Sequence, residues 1–293
     1  MLTKDLIKRV RRLEITTRKV VSTLLAGQYH SVFKGRGMAF SEVRQYQPGD
    51  EVRTIDWNVT ARMNDAYVKV FSEERELTVM LLVDVSASEQ FGSQSRFKSE
   101  VAAELAAQIA FSAIANNDRV GLILFSDKVE KVIPPKKGKK HVLRVVSDIL
   151  SFKPTCKGTE LSAGLTYLSQ VAKRKTVTFL ISDFMGERYE QAMRIVSRKH
   201  DLVPVIVEDP LELAFPSLGI VDLEDPETGQ RITVDTRNPR IRGRFKVAME
   251  TRKQERTRYF RKLKLDFIEL KAGEEHALAL QRFFRRRSRR LGA

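Results

Sequence analysis

Leu77-Thr78-Val79-Met80-Leu81-Leu82-Val83-Asp84-Val85-Ser86-Ala87-Ser88 joins a nearly continuous apolar run to a short polar loop. An apolar run without alternation suits a strand buried on both faces, as in a parallel sheet. Thr176 to Ile181, closed by Ser182-Asp183, has the same form, and Leu202 to Val207 is another buried run. Helical spacing fills the intervals, over Arg96–Ala115, His141–Leu150, Thr159–Ala172 and Glu187–Lys199. Val120–Phe125 and Val129–Ile133 read as two short strands joined by a turn at Ser126-Asp127-Lys128. Strands alternating with helices predict an α/β fold with a mostly parallel sheet and helices on both faces.

The flanks differ. Leu6, Val10, Leu13, Val20, Leu24 and Leu25 predict an amphipathic helix over 3–26, ended by Gly27. From Gly35 to Glu76 short strand-like pieces alternate with turns, Tyr67–Phe71 being the clearest, which predicts a small β-rich subdomain. The expected division is therefore 1–76 and 77–293. After Asp209, Ile220–Leu223 and Ile232–Asp235 flank Asp225-Pro226-Glu227-Thr228-Gly229, a turn signal, and predict a hairpin. A basic helix over Pro239–Lys264, a strand over Leu265–Leu270 and a helix over Glu274–Arg290 complete the chain.

The chemistry lies where the buried strands end. Side chains at 84, 86 and 88 alternate along a loop at a strand's carboxyl end and can converge on one point. Open α/β sheets bind ligands at that edge. Ser182-Asp183 ends a second buried strand, and Gly158-Thr159 opens a helix between the two. Asp84, Ser86, Ser88, Thr159 and Asp183 thus offer two carboxylates and three hydroxyls. An all-oxygen set suits a hard cation, Mg²⁺ (or Mn²⁺), and not zinc, which favours Cys and His. Neutral hydroxyls are weak donors, so the ion would retain Lewis acidity and an open position for an incoming carboxylate.

Asp-x-Ser-x-Ser at 84–88, Thr159 and Asp183 resemble the metal-ion-dependent adhesion site of von Willebrand factor A domains, which have a Rossmann-type fold. The resemblance implies direct metal contacts from Ser86, Ser88 and Thr159, with Asp84 and Asp183 acting at least partly through water. A second resemblance spans almost the whole chain. Gly35-Arg36-Gly37, Arg44-Gln45-Tyr46-Gln47-Pro48-Gly49-Asp50, Arg53-Thr54-Ile55-Asp56-Trp57 and Ala61-Arg62 look like bacterial domain-of-unknown-function family fifty-eight. That family joins such a segment to a von Willebrand A-like domain and commonly accompanies MoxR-type AAA+ ATPases. The resemblance implies an adaptor or chaperone-like role with such an ATPase, or with a client protein offering an acidic side chain. Glu89 departs from the uncharged residue often found after the last Ser; it is read as facing water, with an internal pseudo-ligand as the other reading.

Other motifs carry less. Arg44, Asp50, Arg53, Asp56 and Arg62 are read as turn and salt-bridge contacts around a core containing Tyr46 and Trp57, not as an acid/base site. Lys136-Lys137-Gly138-Lys139-Lys140 lacks the leading Gly and the final Ser/Thr of a phosphate loop. His30, His141, His200 and His276 have no metal spacing, and no nucleophile–base pair can be named, so a non-enzyme is expected. In 293 residues with 42% hydrophobic and 31% charged content, no apolar run reaches the roughly 18–20 residues of a membrane span. Basic residues interrupt any N-terminal signal pattern, and the single Cys156 suits a reducing compartment, so the cytoplasm is expected. The net charge of +16 raises the reading from a different class, nucleic-acid binding through the basic helices. Few aromatics interleave with the arginines as single-strand binding needs, and Arg285 to Arg290 are expected to project beyond a packed face. A Mg²⁺-dependent hydrolase at the same site is the third reading.

Overall fold

The computed structural model describes residues 4–21, 29, 32–33, 39–63, 65–72, 76–92, 97–156, 158–186, 188–225, 227–274 and 276–291. Leu24, Leu25, Gly27, His30, Gly35-Arg36-Gly37, Arg96, Glu187 and Pro226 of the sequence reading lie outside them. Among the described residues, no helix is long and apolar enough to cross a membrane.

The predicted run Leu77–Val83 becomes β3 (Thr78–Asp84), the middle of a six-stranded sheet. On one side it pairs in parallel with β4 (Arg119–Phe125), and β5 (Val129–Lys136) closes that edge antiparallel. On the other side β6 (Val177–Ser182), β7 (Asp201–Glu208) and β10 (Ile268–Lys271) follow, all parallel. The chain therefore leaves β3 to one side and returns to its other side with β6. That reversal puts the ends of β3 and β6 next to each other, the place where α/β sheets form a ligand crevice.

Side-chain alternation gives the sheet two buried faces. Leu81, Val83, Leu124, Phe179 and Val205 pack towards α3 (Lys98–Ala115), α4 (Lys139–Ser151) and α9 (His276–Leu291). Met80, Leu82, Phe125, Leu180 and Ile206 pack towards α5 (Leu161–Val171), α6 (Glu190–Lys199) and Phe260 of α8 (Pro239–Lys262). Each such aliphatic side chain contributes about 1.5–3 kcal/mol on burial, so two saturated faces explain why apolar runs replace alternation. The α3 helix is apolar nearly all round because it lies between the sheet and α1 (Lys4–Val20), α4 and α9. Its surroundings, not a single stripe, select Ala at 102, 103, 106, 107, 110 and 113.

At Gly164 of α5 an added Cβ would lie 2.8 Å from Cδ1 of Phe125. Gly164→Ala should therefore lose about 1–3 kcal/mol to overpacking, although Ala is the better helix former. A thermal melt equal to or above wild type would contradict the packing.

The N-terminal region forms a ribbon of β1 (Ala39–Gln45) and β2 (Tyr67–Ser72) beside a short α2 (Trp57–Met63). Three of the five polar residues singled out in the sequence make turn and ion-pair contacts: the Arg44 guanidinium donates to both oxygens of Asp50 at 2.7 Å. Asp56 accepts from the Asn58 backbone N–H at 3.0 Å at the start of α2 and pairs with Lys69. The expectation for Trp57 is corrected, since its ring is 66% exposed; a two-stranded ribbon has too little depth to bury it. Arg287 corrects a second expectation. It does not project outward but pairs with Asp201 and lies over the Phe33 ring at 4.8 Å, while Arg290 reaches Asp266 at 2.7 Å.

Beyond β7, Asp209 caps the single turn α7 (Pro210–Leu213). The predicted hairpin is β8 (Ile220–Glu224) and β9 (Arg231–Asp235), a separate two-stranded sheet in which no residue is fully buried.

Candidate metal-binding site

The first Asp of the site stays in the strand, and the chain then turns. Val85 still hydrogen bonds to Phe125 of β4, after which residues 87–90 coil into a single 3-10 turn. Asp84 Oδ1 accepts the Ser86 backbone N–H at 2.9 Å, and its Oδ2 accepts the Ser182 hydroxyl at 2.7 Å. These bonds tie the β3 loop to the end of β6. Ser86 and Ser88 then bring their hydroxyl oxygens to 3.0 Å from each other. Just after β6, Asp183 Oδ1 accepts the Met185 N–H at 2.9 Å, shaping the following loop, and Phe184 adopts a positive φ of 56°. Carboxylate oxygens of Asp84, Glu89 and Asp183 all lie within 4.8 Å of one another.

Glu89 corrects the sequence reading. It does not face water; it is buried, and its Oε1 accepts the Asp183 backbone N–H at 3.1 Å while Oε2 has no partner. The turn at 87–90 swings residue 89 inward beneath the serines.

A buried acid cluster needs compensation, and the sequence reading missed its source. Lys98, in the first turn of α3, is 0% exposed. Its ammonium donates to Asp183 Oδ2 at 2.7 Å and to Glu212 of α7 at 2.6 Å. Burial alone would lower the Lys98 pKa, but Glu89, Asp183 and Glu212 raise it, so the cation is firmly held. One ammonium does not balance the cluster. Burial, followed by the nearby Asp183 carboxylate, pushes Asp84 up to about 7. Burial also raises Glu89 well above the usual carboxylate range, against the pull of Lys98. The site is thus short of positive charge.

Four of the five expected ligands, Asp84, Ser86, Ser88 and Asp183, share this edge. Thr159 lies on the loop before α5, one residue ahead of the helix cap Glu160, so it precedes the helix and does not open it. It packs against the loop that follows Asp183: a Cβ at Gly186 would lie 3.4 Å from Thr159 Cγ2. Its hydroxyl hydrogen is committed to Glu227 Oε1 at 2.5 Å. Cys156 stands apart, beside Glu130, which accepts the Cys156 backbone N–H at 3.2 Å. A cleft of about 300 Å³ opens beside the β3 loop, with Ser86 and Glu89 at one wall and Phe97, Ile149, Phe152 and Pro154 around it.

The donor set fits a hard divalent cation. Asp84, Ser86, Ser88, Glu89 and Asp183 all offer oxygen, one buried carboxylate oxygen is unpartnered, and two carboxylates repel across the strand ends. When bound, such an ion supplies the missing positive charge and an electrophilic position for an outside oxygen.

A family profile described as "Protein of unknown function DUF58" matches residues 42–256. An uncharacterized protein of Mycobacterium tuberculosis (strain ATCC 25618 / H37Rv) is 29% identical over 290 residues, covering 97% of this chain and 90% of its own. Among solved structures, the conserved hypothetical protein BatB from Bacteroides thetaiotaomicron aligns with a TM-score of 0.48 at 14% identity, covering 73% of this chain and 99% of its own. The VWA domain of SpRpn10 aligns with a TM-score of 0.33 at 11% identity, covering 45% and 76% respectively.

Proposed function

Since this chain belongs to the DUF58 family, whose function is unknown, we propose its role from the site itself: a non-enzymatic, Mg²⁺- or Mn²⁺-dependent module that binds a protein partner by an acidic side chain. The observation that carries this reading is the convergence of Asp84, Glu89 and Asp183, whose carboxylate oxygens lie within 4.8 Å of one another, with burial and Asp183 raising the Asp84 carboxyl although Lys98 lies nearby. A divalent ion held by Ser86, Ser88 and Thr159, with Asp84 and Asp183 behind them, supplies that charge. An incoming carboxylate then completes the coordination, and the cleft beside the loop, lined by the Arg9–Glu100 ion pair as well as by Phe97 and Phe152, accepts its neighbouring side chains. The Ser86 and Ser88 hydroxyls lie 3.0 Å apart and bond to each other, an arrangement suited to sharing one ion. Arg256 and Arg287, drawn into ion pairs with Glu208 and Asp201, are not free to read nucleic acid. The adaptor role beside a MoxR-type AAA+ ATPase, in the cytoplasm, rests on the sequence resemblance and the single cysteine.

Calorimetric titration with Mn²⁺ tests the reading. Wild type should bind one ion, and Ser86→Ala should bind about 10–100-fold more weakly, as for other losses around a metal. Equal binding by both proteins would refute the assignment. A pull-down of the MoxR-type ATPase should be lost in chelator; an association indifferent to chelator would remove the metal from recognition.

A further inference from the structure

Three carboxylates meet at this edge, and their oxygens are not equivalent. Asp84 Oδ1 accepts the Ser86 N–H, and its Oδ2 accepts the Ser182 hydroxyl. Asp183 Oδ1 accepts the Met185 N–H, and its Oδ2 accepts the Lys98 ammonium. Glu89 Oε1 accepts the Asp183 N–H at 3.1 Å. Glu89 Oε2, alone among these oxygens, has no partner, although the residue is only 1% exposed.

The backbone sets this position. In the turn at 87–90 the Glu89 N–H bonds the Ser86 carbonyl and the Phe91 N–H bonds the Ser88 carbonyl, each at 3.2 Å. The Phe91 carbonyl accepts the Lys98 N–H at 3.0 Å, which fastens the turn to the head of α3. Glu89 is thereby directed inward, and the Asp183 N–H fixes the rotation of its carboxylate. Metal-ligating carboxylates are characteristically held by a hydrogen bond of this kind. A buried polar atom without a partner calls for an ion or a water that meets it, and the surroundings favour the ion. Glu89 offers an oxygen within 4.8 Å of oxygens of Asp84 and Asp183, and like charges so close repel unless a cation lies among them. The Lys98 ammonium is already committed to Asp183 and Glu212.

We infer that Glu89 is a direct carboxylate ligand of the divalent ion, bound through Oε2, and that it keeps the ion in place when no partner is present. The inference rests on the metal-binding reading above and deepens it by separating the three acids. Asp84 and Asp183, whose oxygens are all engaged, act from behind the hydroxyls, whereas Glu89 supplies the charged contact. Affinity for a hard cation rises with the number of charged ligands. A partner's carboxylate then joins a site that is already loaded and is not needed to load it.

The test uses the full chain and Mn²⁺, by calorimetry and water-proton relaxation, with no partner added. Glu89→Gln keeps a carbonyl for the Asp183 N–H and sets an NH₂, which cannot ligate, where Oε2 stands. It should bind Mn²⁺ about 100-fold more weakly than wild type, the upper end of the loss for groups that support a metal. Glu89→Ala, saturated with Mn²⁺, should show higher relaxivity per bound ion, because water takes the vacated position. Thermal melts in chelator verify that the variants fold, and Glu89→Gln carries both measurements if Glu89→Ala does not. Weaker binding with unchanged relaxivity would overturn direct ligation, since charge at a distance then accounts for the loss. Equal affinity in Glu89→Gln and wild type, with Ser86→Ala weakened, also removes Glu89 from the ligands and leaves the metal site standing. Failure of wild type itself to bind Mn²⁺ would overturn both.

Discussion

Lys98→Met should lower the melting temperature by about 10 °C in chelator at pH 8, the largest stability loss expected of any single change at the site. The substitution keeps the length of the side chain and removes the ammonium that bonds Asp183 and Glu212. Breaking a buried ion pair by deleting one partner costs about 3–5 kcal/mol, because the remaining charge is left uncompensated. In a chain of this size that corresponds to about 10 °C. The loss should shrink at pH 5, since acids without their cation have raised pKa values and take up protons as the pH falls. Mg²⁺ should restore part of the stability at pH 8 by replacing one cation with another. A variant that melts like wild type in chelator at pH 8 would show that the ammonium does not support the acid cluster.

Asp84→Ala should have the opposite profile, abolishing metal binding while the metal-free fold persists. In the folded chain Asp84 is raised from 3.8 to about 7. A carboxyl with a raised folded-state pKa favours folding most below its unfolded pKa and loses that contribution as pH rises through the folded value. Wild type in chelator should therefore lose stability between about pH 4 and about pH 7, by about 2–4 kcal/mol. Asp84→Ala should lose Asp84's share of this slope and keep the share that comes from Glu89. It does give up the acceptor for Ser86 N–H and the Ser182 hydroxyl, which costs about 1–3 kcal/mol. At pH 8 the relief of repulsion with Asp183 offsets that cost, and the two proteins should melt within a few degrees of each other. Mg²⁺ should stabilise wild type more at pH 8 than at pH 5, because at pH 5 the ion must displace a proton, and should not stabilise the variant at all. Thermal melts over pH with and without Mg²⁺ give all four comparisons. Metal stabilisation of Asp84→Ala equal to wild type would remove Asp84 from the site.

The strand ends were readable because burial on both faces writes itself into sequence as unbroken apolar runs. Thr78–Asp84 ends at an acid and Val177–Ser182 is followed by one, Asp183, for the same reason: the chain leaves the sheet there. The Ser86–Ser88 pair follows from alternation in the loop. Lys98 was not readable. It stands at the head of an apolar helix, and only the packing of α3 beneath the end of β6 shows that its ammonium is enclosed. Glu89 was misjudged because a charged residue after a loop serine ordinarily faces solvent, and the 3-10 turn that directs it inward has no composition signal. Glu227 was visible only as part of a turn, since nothing local indicates which hydroxyl the tip of a hairpin will meet. Trp57 shows the converse: a large aromatic in a small ribbon was taken for core, but the ribbon offers no second layer to cover it.

The antiparallel edge of the sheet has a further consequence. β5 ends in Ile133-Pro134-Pro135-Lys136, and a proline offers no backbone N–H to an added strand. The opposite edge, β10, is only four residues long and carries Glu269 and Lys271. Short, charged or proline-bearing edges resist strand addition, the means by which many domains capture extended peptides. Recognition by main-chain pairing is thereby closed off on both flanks of the main sheet. On the binding role proposed above, a partner would meet the strand termini end-on and would not complete the sheet.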